Sequence, residues 1–430
     1  MYGFVSLNCD VKILSLCFFI GKFMSIIEKI NDRQVWEDFI AQKEAQGNIS
    51  EKDLSDLKDF ADKIEFSKVY EKIIKNEGFS IPKKTLINKK AGKKRAVYTF
   101  CREENYVLKL ISYLLKDYDH VFAPNLYSFR KNTGVKKAID NILRIRNLDS
   151  MYVYKIDISN YFNSVDIEIL LPLLKDVLSD DIKLYGFFES LLKNPYVQYE
   201  DEIIKEEKGI MAGVPVSAFL ANLYLKDLDH YFYQKGIPYM RYSDDILVFA
   251  KDENELSHII DTIKCELKNK KLTVNSDKES VVKPNEKWTF LGFSYHKGVV
   301  DISDVSFEKL KAKMRRKARS LSRWASKKQV PPKFGARAFV KRFNTKLYDN
   351  PVFSELTWSR WFFPVINTSA TLRKIDEYTL ECIRYLATGT RTKSRYNFTY
   401  DDIKALGYRS LVHEYYKEKD DNINNIGDKK

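Results

Sequence analysis

Residues 239–250 read YMRYSDDILVFA. Two tracts of aromatic and aliphatic residues flank Asp244-Asp245, and such residues favour pleated, half-buried backbone. The stretch predicts two short strands joined at the acidic pair. Residues 151–158, MYVYKIDI, predict a further strand that places Asp157 near its end. Aspartates in turns are common as plain turn formers. Carboxylates on the tips of adjacent buried strands, however, converge on one point, and hard divalent cations require such clustered oxygen ligands. Phosphoryl chemistry with two metal ions about 3.5–4 Å apart needs that convergence.

Outward from this stretch, the chain alternates strand and helix. Residues 218–233 predict one helix with few charges on its inner face, 253–268 another, and 288–295 a strand. The order over residues 151–300 is therefore β, α, β, α, β. Upstream, 51–76 predicts an amphipathic helix with Leu54, Leu57, Phe60, Ile64 and Phe66 at near-helical spacing. Residues 89–100 (KKAGKKRAVYTF) predict a hairpin bent at Gly92, and 107–115 and 134–145 are helical. Downstream, 306–325 predicts a helix with an inward stripe of Phe307, Leu310, Met314, Leu321 and Trp324, ended by Val330-Pro331-Pro332. Residues 356–416 are aromatic and helical, and 417–430 predict a frayed polar tail.

The 430 residues, 44% hydrophobic and 14% aromatic, suffice for two or three packed units and exclude extended disorder. Five scattered cysteines in no C-x-x-C pair argue against a disulfide framework and for a reducing compartment, and the five histidines form no zinc pattern. The net charge of +14 is concentrated. Residues 306–346 hold 15 Lys or Arg against Glu308 alone, while the rest of the chain balances 58 basic with 58 acidic side chains. Clustered cations of one sign indicate a polyanion surface. A membrane-surface helix is the competing reading. The apolar run 13–20 (ILSLCFFI) is far below the roughly 20 residues that span a bilayer, and Asp10 before it does not suit a signal peptide. Residues 1–23 are an N-terminal extension of uncertain role, with Met24 an alternative start.

Seven motifs in order then resemble the reverse transcriptase family. Tyr242-Ser-Asp-Asp245 is similar to its Tyr-x-Asp-Asp signature, and Asp157-Ile-Ser-Asn-Tyr-Phe162 to its first palm motif. Gly209-Ile-Met-Ala-Gly-Val-Pro-Val-Ser217 resembles the Gly/Pro/Ser motif, Asn275-Ser-Asp-Lys278 the next, and Phe290-Leu-Gly-Phe293 the primer-grip element. Lys89 to Arg95 and Leu126-Tyr-Ser-Phe-Arg130 resemble the two finger motifs, most closely in the prokaryotic lineage of retrons, group II intron enzymes and phage-defence reverse transcriptases.

The resemblance implies an α+β right-hand polymerase fold: residues 24–150 as N-terminal helices and fingers, 151–300 as an antiparallel-sheet palm with part of the fingers, and 301–416 as a helical basic thumb with a C-terminal appendage. It implies Asp157, Asp244 and Asp245 as ligands of two Mg2+ ions, with Mn2+ able to substitute, and Lys278 as a proton donor to pyrophosphate; a plain surface lysine is the alternative. Phe162 becomes a gate that excludes a 2′-hydroxyl, the alternative being a core phenylalanine. Lys89 and Arg95 become a triphosphate clamp, with Lys90, Lys93 and Lys94 as alternatives to Lys89. Gly213, Pro215 and Ser217 shape the nucleotide loop; a simple turn leading a helix is the other reading. Primer and template contacts fall to Arg130, Tyr242, Phe290, Leu291, Gly292, Arg315, Arg316, Arg319 and Arg323. Many relatives carry Gln where this chain has Ala212, which puts ordinary templating in doubt.

The activity implied is RNA-directed addition of dNMP to a 3′ end by a cytoplasmic enzyme. Its partners would be an RNA template, a structured non-coding RNA in antiphage defence, dNTPs and the DNA product, without a membrane. Alternatives are a template-independent nucleotidyltransferase or an RNA polymerase, and, in another class, a non-catalytic RNA-binding chaperone.

Overall fold

A computed structural model describes residues 24–47, 49–88, 94–348 and 357–427. The expected N-terminal extension, the Gly92 bend and Lys89 lie outside the described residues. In chain order the strands are β1 Lys83–Asn88, β2 Lys94–Thr99, β3 Tyr152–Asp157, β4 Tyr196–Tyr199, β5 Glu202–Lys205, β6 Tyr239–Tyr242, β7 Asp245–Ala250, β8 Ser280–Val282, β9 Trp288–Phe290, β10 Phe293–His296 and β11 Val299–Ile302. They form three sheets, ordered β2-β1-β4-β5, β6-β7-β3-β8 and β11-β10-β9. The chain divides into two compact units. The first takes residues up to Ala41, Leu57–Val121 and Phe162–Tyr224; the second takes Gln42–Asp56, Phe122–Tyr161 and the chain from Leu225 on.

In the first unit, β1 and β2 pair antiparallel from Lys83↔Thr99 to Asn88↔Lys94, and β1 meets β4 in parallel. Trp36 anchors a neighbouring core. Its ring stacks on Phe66 at 5.5 Å and meets the edge of Phe60 at 5.3 Å, while its indole N–H donates to the Ile30 carbonyl at 2.8 Å. A buried indole contributes large apolar area only if that N–H finds an acceptor. The helix expected over 51–76 is two, Glu51–Asp62 and Phe66–Ile74, because Ile64 between them takes a left-handed φ of 56° that a right-handed helix does not continue. The helix expected over 218–233 is likewise two, Ser217–Tyr224 and Lys226–Gln234, with Leu225 at the break.

The second unit is built on β6-β7-β3-β8, antiparallel throughout. Its sheet core continues through helix Val135–Leu143 into the side chains of β9 to β11 and the helices Asp304–Lys328, Pro332–Leu347 and Ala370–Thr388. The strand expected over 288–295 is a hairpin instead. Leu291 and Gly292 turn with φ of 49° and 90°, and a Cβ at Gly292 would stand 3.0 Å from the Ser306 hydroxyl. The basic helix buries Leu310, Met314 and Leu321 as expected, but fills the rest of its inner face with Ala318 and Ala325. Trp324 is turned out, 42% exposed. Small residues let helices pack closely, and a Trp at that register has no room inward. Pro332 does more than end a helix: it sits in the first turn of the next, where a missing N–H is harmless. The expected tail is helical from Leu411 to Gly427. The buried Asp376 carboxylate holds its start, accepting from the N–H groups of Leu411 and Val412 at 2.9 and 3.1 Å. No helix among the described residues is long and apolar enough to cross a membrane.

Candidate functional site

β3 and β7 pair in a register that sets Asp157 directly opposite Asp245. The Tyr242-to-Asp245 hairpin turns at Ser243, whose φ of 61° is left-handed. Directly opposed residues of an antiparallel pair have α-carbons about 4.5–5.5 Å apart. The Ile158 N–H donates to the Asp244 carbonyl at 3.1 Å, so the third acid belongs to the same corner. Asp157 is buried. Its carboxylate accepts a hydrogen bond from Lys278 Nζ and another from the Asn275 side-chain amide at 3.2 Å, while its carbonyl accepts from the Asn275 N–H at 2.8 Å. Asn275 and Lys278, expected in one motif, thus both serve Asp157.

The electrostatics of the corner follow from crowding. Burial first, then the negative charges of Asp244 and Asp157, push Asp245 up to about 6, with Lys155 and Lys278 pulling only partly the other way. Burial works to lower Lys278, but its hydrogen bond to Asp157 and the nearby acids outweigh it and hold the ammonium above its ordinary range. Among the described residues, no three acids, histidines or cysteines are grouped closely enough to grip a metal ion as they stand. The donor set nonetheless fits one in chemistry. Asp245 feels the repulsion of two other carboxylates, which a divalent cation relieves, and all three present hard oxygens.

A second network, not foreseen from sequence, stands behind this turn. Arg241 and Asp229 are both fully buried, joined from Nε to Oδ1 at 2.8 Å and from Nη2 to Oδ2 at 2.5 Å. Tyr239 adds its hydroxyl to the same Asp229 carboxylate at 2.9 Å. The backbone of Arg241 exchanges hydrogen bonds with Asn125 and Tyr127, each at 3.0 Å, and the Asn125 amide reaches the Asp229 carbonyl at 2.8 Å. The Ser243 N–H donates to Ser128 Oγ at 2.8 Å. The motif around Leu126–Arg130 therefore braces the acidic turn. An arginine inside an otherwise apolar strand, with an aspartate on the preceding helix, was the signal available in the sequence.

In the first unit the Gly209–Ser217 loop is tied to β2 and to Phe162 and Asn163. Tyr98 N–H donates to the Ala212 carbonyl at 2.8 Å, and the Ile210 N–H donates to the Phe162 carbonyl at 2.9 Å. Asn163, another residue sequence reasoning passed over, accepts from the Ala212 N–H at 3.0 Å and donates to the Ala96 carbonyl at 3.1 Å. Gly213 has φ of 101°, and a Cβ there would stand 2.4 Å from Val97 Cγ1, so no larger residue fits that turn. The buried Ser217 hydroxyl donates to the carbonyls of Ile210 and Met211 and closes the loop from within. Pro215 and Phe162 are half-buried beside it, and Arg95 is exposed on β2, opposite Ile87. Lys208, just ahead of the loop, is buried with Nζ donating to the Tyr196 carbonyl at 3.0 Å, and burial lowers it to about 8.

The remaining expected contacts divide by burial. Phe290 is wholly buried in the core, so its ring is unavailable to a nucleic acid, and only the Leu291-Gly292 turn is partly exposed. Arg130 donates to the carbonyls of Ala123 and Leu126 at 2.6 and 3.2 Å, which makes it a brace for its own motif. Tyr242 is half-buried against the core. Arg315, Arg316, Arg319 and Arg323 are exposed along the basic helix, Arg315 donating to the Tyr378 hydroxyl at 3.3 Å.

Comparison with solved structures finds apo telomerase from Candida tropicalis at 14% identity, covering 77% of this chain and 68% of that one, with a TM-score of 0.44. A C-terminally truncated form of it matches at 15% identity, 52% and 55% coverage and TM-score 0.44, so this chain spans little more than half of that protein's length. Telomerase from Candida albicans, in complex with a fragment of telomeric RNA, matches at 12% identity, 79% and 67% coverage and TM-score 0.43. No curated protein matches in sequence. The family rests on the sequence match. The model described as "Reverse transcriptase (RNA-dependent DNA polymerase)" matches residues 81–295, half of the chain, spanning the acidic corner and the Gly209–Ser217 loop. The chain belongs to the reverse transcriptase family of RNA-dependent DNA polymerases, with its right-hand polymerase fold.

Proposed function

We propose that this protein adds deoxynucleotides to a 3′ end on an RNA template, with Asp157, Asp244 and Asp245 as its metal ligands. The observation that carries the reading is the Asp157↔Asp245 register beside the Asp244 turn. Divalent metal ions serve the family generally; here we assign two Mg2+ ions, which Mn2+ can replace. When bound, they activate the attacking hydroxyl and offset charge on the phosphates. The chain's residues do the rest. Lys278, hydrogen-bonded to Asp157, gives its proton to leaving pyrophosphate in this reading. Arg95, with Lys89, neutralises the triphosphate. Phe162, its carbonyl tied to the loop at Ile210, presents a ring that favours a sugar without a 2′-hydroxyl. Gly213, Pro215 and Ser217 form the floor under the incoming base. Tyr242, the Leu291-Gly292 turn and Arg315, Arg316, Arg319 and Arg323 line the path of primer and template by phosphate contacts.

In this reading residues 24–150 form N-terminal helices and fingers, 151–300 the palm with part of the fingers, and 301–416 the helical basic thumb and C-terminal appendage. The lineage is the prokaryotic one of retrons and phage-defence enzymes, and the template is a dedicated structured non-coding RNA in the cytoplasm. The test is incorporation of dNTPs and NTPs with and without template RNA, joined to sequencing of nucleic acid that copurifies from the native host. Template-dependent dNMP incorporation and one enriched RNA are expected. Equal use of NTPs, or synthesis without template, would replace the proposal with one of the alternative transferases. A random mixture of cellular RNAs would remove the dedicated partner.

A further inference from the structure

The 15 cations of residues 306–346 do not all have the same surroundings. Several basic side chains of the second unit are engaged: Lys311 pairs with Glu308 at 3.1 Å, Arg395 with Glu381 at 2.8 Å, Arg409 with Glu414 at 2.7 Å, and Arg315 holds the Tyr378 hydroxyl. Helix Pro332–Leu347 sets its cations beside exposed aromatic rings. It buries Ala336, Phe339, Val340, Phe343 and Leu347, and its opposite face carries Phe334, Arg337, Lys341 and Asn344 at helical spacing. Arg337 and Lys341 are exposed, with no ion pair among the described residues. Phe334 is 56% exposed, and Trp324 from the preceding helix, 42% exposed, lines the same shallow groove. Leu406 and Gly407 form its far wall.

Two large exposed rings that line one groove with unpaired cations mark an interaction surface. The cover must bring negative charge to Arg337 and Lys341 and flat apolar faces to Trp324 and Phe334. A duplex offers phosphates but keeps its base faces inside its own stack. An acidic protein segment meets the charge, but it matches the two rings only if it also carries aromatic side chains at the right spacing. Unpaired nucleotides supply both, since every base has a π-face and every link a phosphate.

We propose that the groove lined by Trp324, Phe334, Arg337 and Lys341 binds a single-stranded segment of RNA, with bases stacked on the two rings and phosphates on the two cations. The proposal rests on the reading of the chain as a polymerase that works on RNA, and it assigns to this surface a task separate from holding the primer–template duplex. The site selects for unpaired RNA by stacking, whereas the exposed arginines of helix Asp304–Lys328 respond to phosphate alone.

The test uses the full chain. Binding of a labelled unstructured oligoribonucleotide and of a blunt duplex of the same length is measured for the unaltered protein, for Trp324→Ala/Phe334→Ala, and for Arg337→Gln/Lys341→Gln. Stacking is worth about 1–3 kcal/mol per base, so the aromatic pair is expected to cost the single strand at least about fivefold and the duplex less than about twofold. The cation pair should weaken both and flatten the salt dependence. Photocrosslinking of 4-thiouridine RNA to the unaltered protein should label peptides containing Trp324 or Phe334, a readout that does not depend on how the variants fold. In the aromatic variant, an unchanged single-strand affinity or an equal loss for strand and duplex overturns the proposal, as do crosslinks confined to other peptides. Primer extension is followed in parallel. Its retention in the aromatic variant separates failure of this site from failure of the polymerase reading, which an inactive unaltered protein would signal.

Discussion

The acidic corner at Asp157 and the helix Asp304–Lys328 both concentrate charge, and they hold it in opposite ways. In the corner the Asp157 carboxylate is fixed by Lys278 and Asn275, and the backbone of the turn is held by Ser128, with the buried Arg241–Asp229 pair behind it. On the helix the charges stand on long exposed side chains with few partners, and their effect is a sum. A site that positions reacting atoms must give each group one place. A surface that attracts a polyanion needs only density and sign. Loss of a single residue should therefore be severe in the first region and slight in the second.

The largest effect should come from the corner itself. Asp244→Ala or Asp245→Asn is expected to lower primer extension by about 10^3-fold or more, the order that follows from losing several kcal/mol of charge stabilisation at a metal site. Unchanged circular dichroism would show that the fold persists, and near-full activity would remove the corner as the active site. Next stands the network behind it. Arg241→Met leaves Asp229 charged and uncompensated in the core, at a cost of about 3–5 kcal/mol in denaturant unfolding. Arg241→Met/Asp229→Leu should recover much of that stability, because replacing both partners removes the stranded charge. If the single variant is as stable as the unaltered protein, the pair is no brace.

A smaller effect should appear in pH. The folded pKa of Asp245 is raised, to about 6, so the folded protein binds this proton more tightly than the unfolded chain does. In metal-free protein its contribution is stabilising below the unfolded value near 4 and is lost as pH rises through about 6. Melting of the metal-free chain should show that downward step, and Asp245→Asn should abolish it; an identical profile in the variant would assign the step elsewhere. The smallest effect belongs to the helix. Arg319→Gln should weaken duplex binding only a few-fold and reduce the salt slope by about 1. A hundredfold loss would mean that this arginine reads a specific contact, and would erase the contrast between the two regions.

What could be read before the structure was known depended on range. The strand alternation around Asp157 and the Asp244-Asp245 turn is local, and both came out where the residues place them. Gly213 and Gly292, likewise in short motifs, do sit where backbone turns exclude a side chain. Helix lengths fared worse, since Ile64 and Leu225 break helices that periodicity alone would run on. Phe290 carries the primer-grip pattern, yet its ring is core; a motif records a backbone turn as readily as a contact.

By itself the sequence determined which groups could do chemistry and where positive charge accumulates, because residue type, alternation and composition are properties of neighbouring positions. Only the tertiary structure decided which of them are engaged. Arg241 meets an aspartate 12 residues away, Asn125 reaches across 104 residues to hold the same helix, and Lys278 crosses 121 to reach Asp157. Burial likewise turned Trp324 outward and Phe290 inward. The reason is physical: a side chain's partner and exposure are set by which distant segments fill the space beside it, and no local period carries that information.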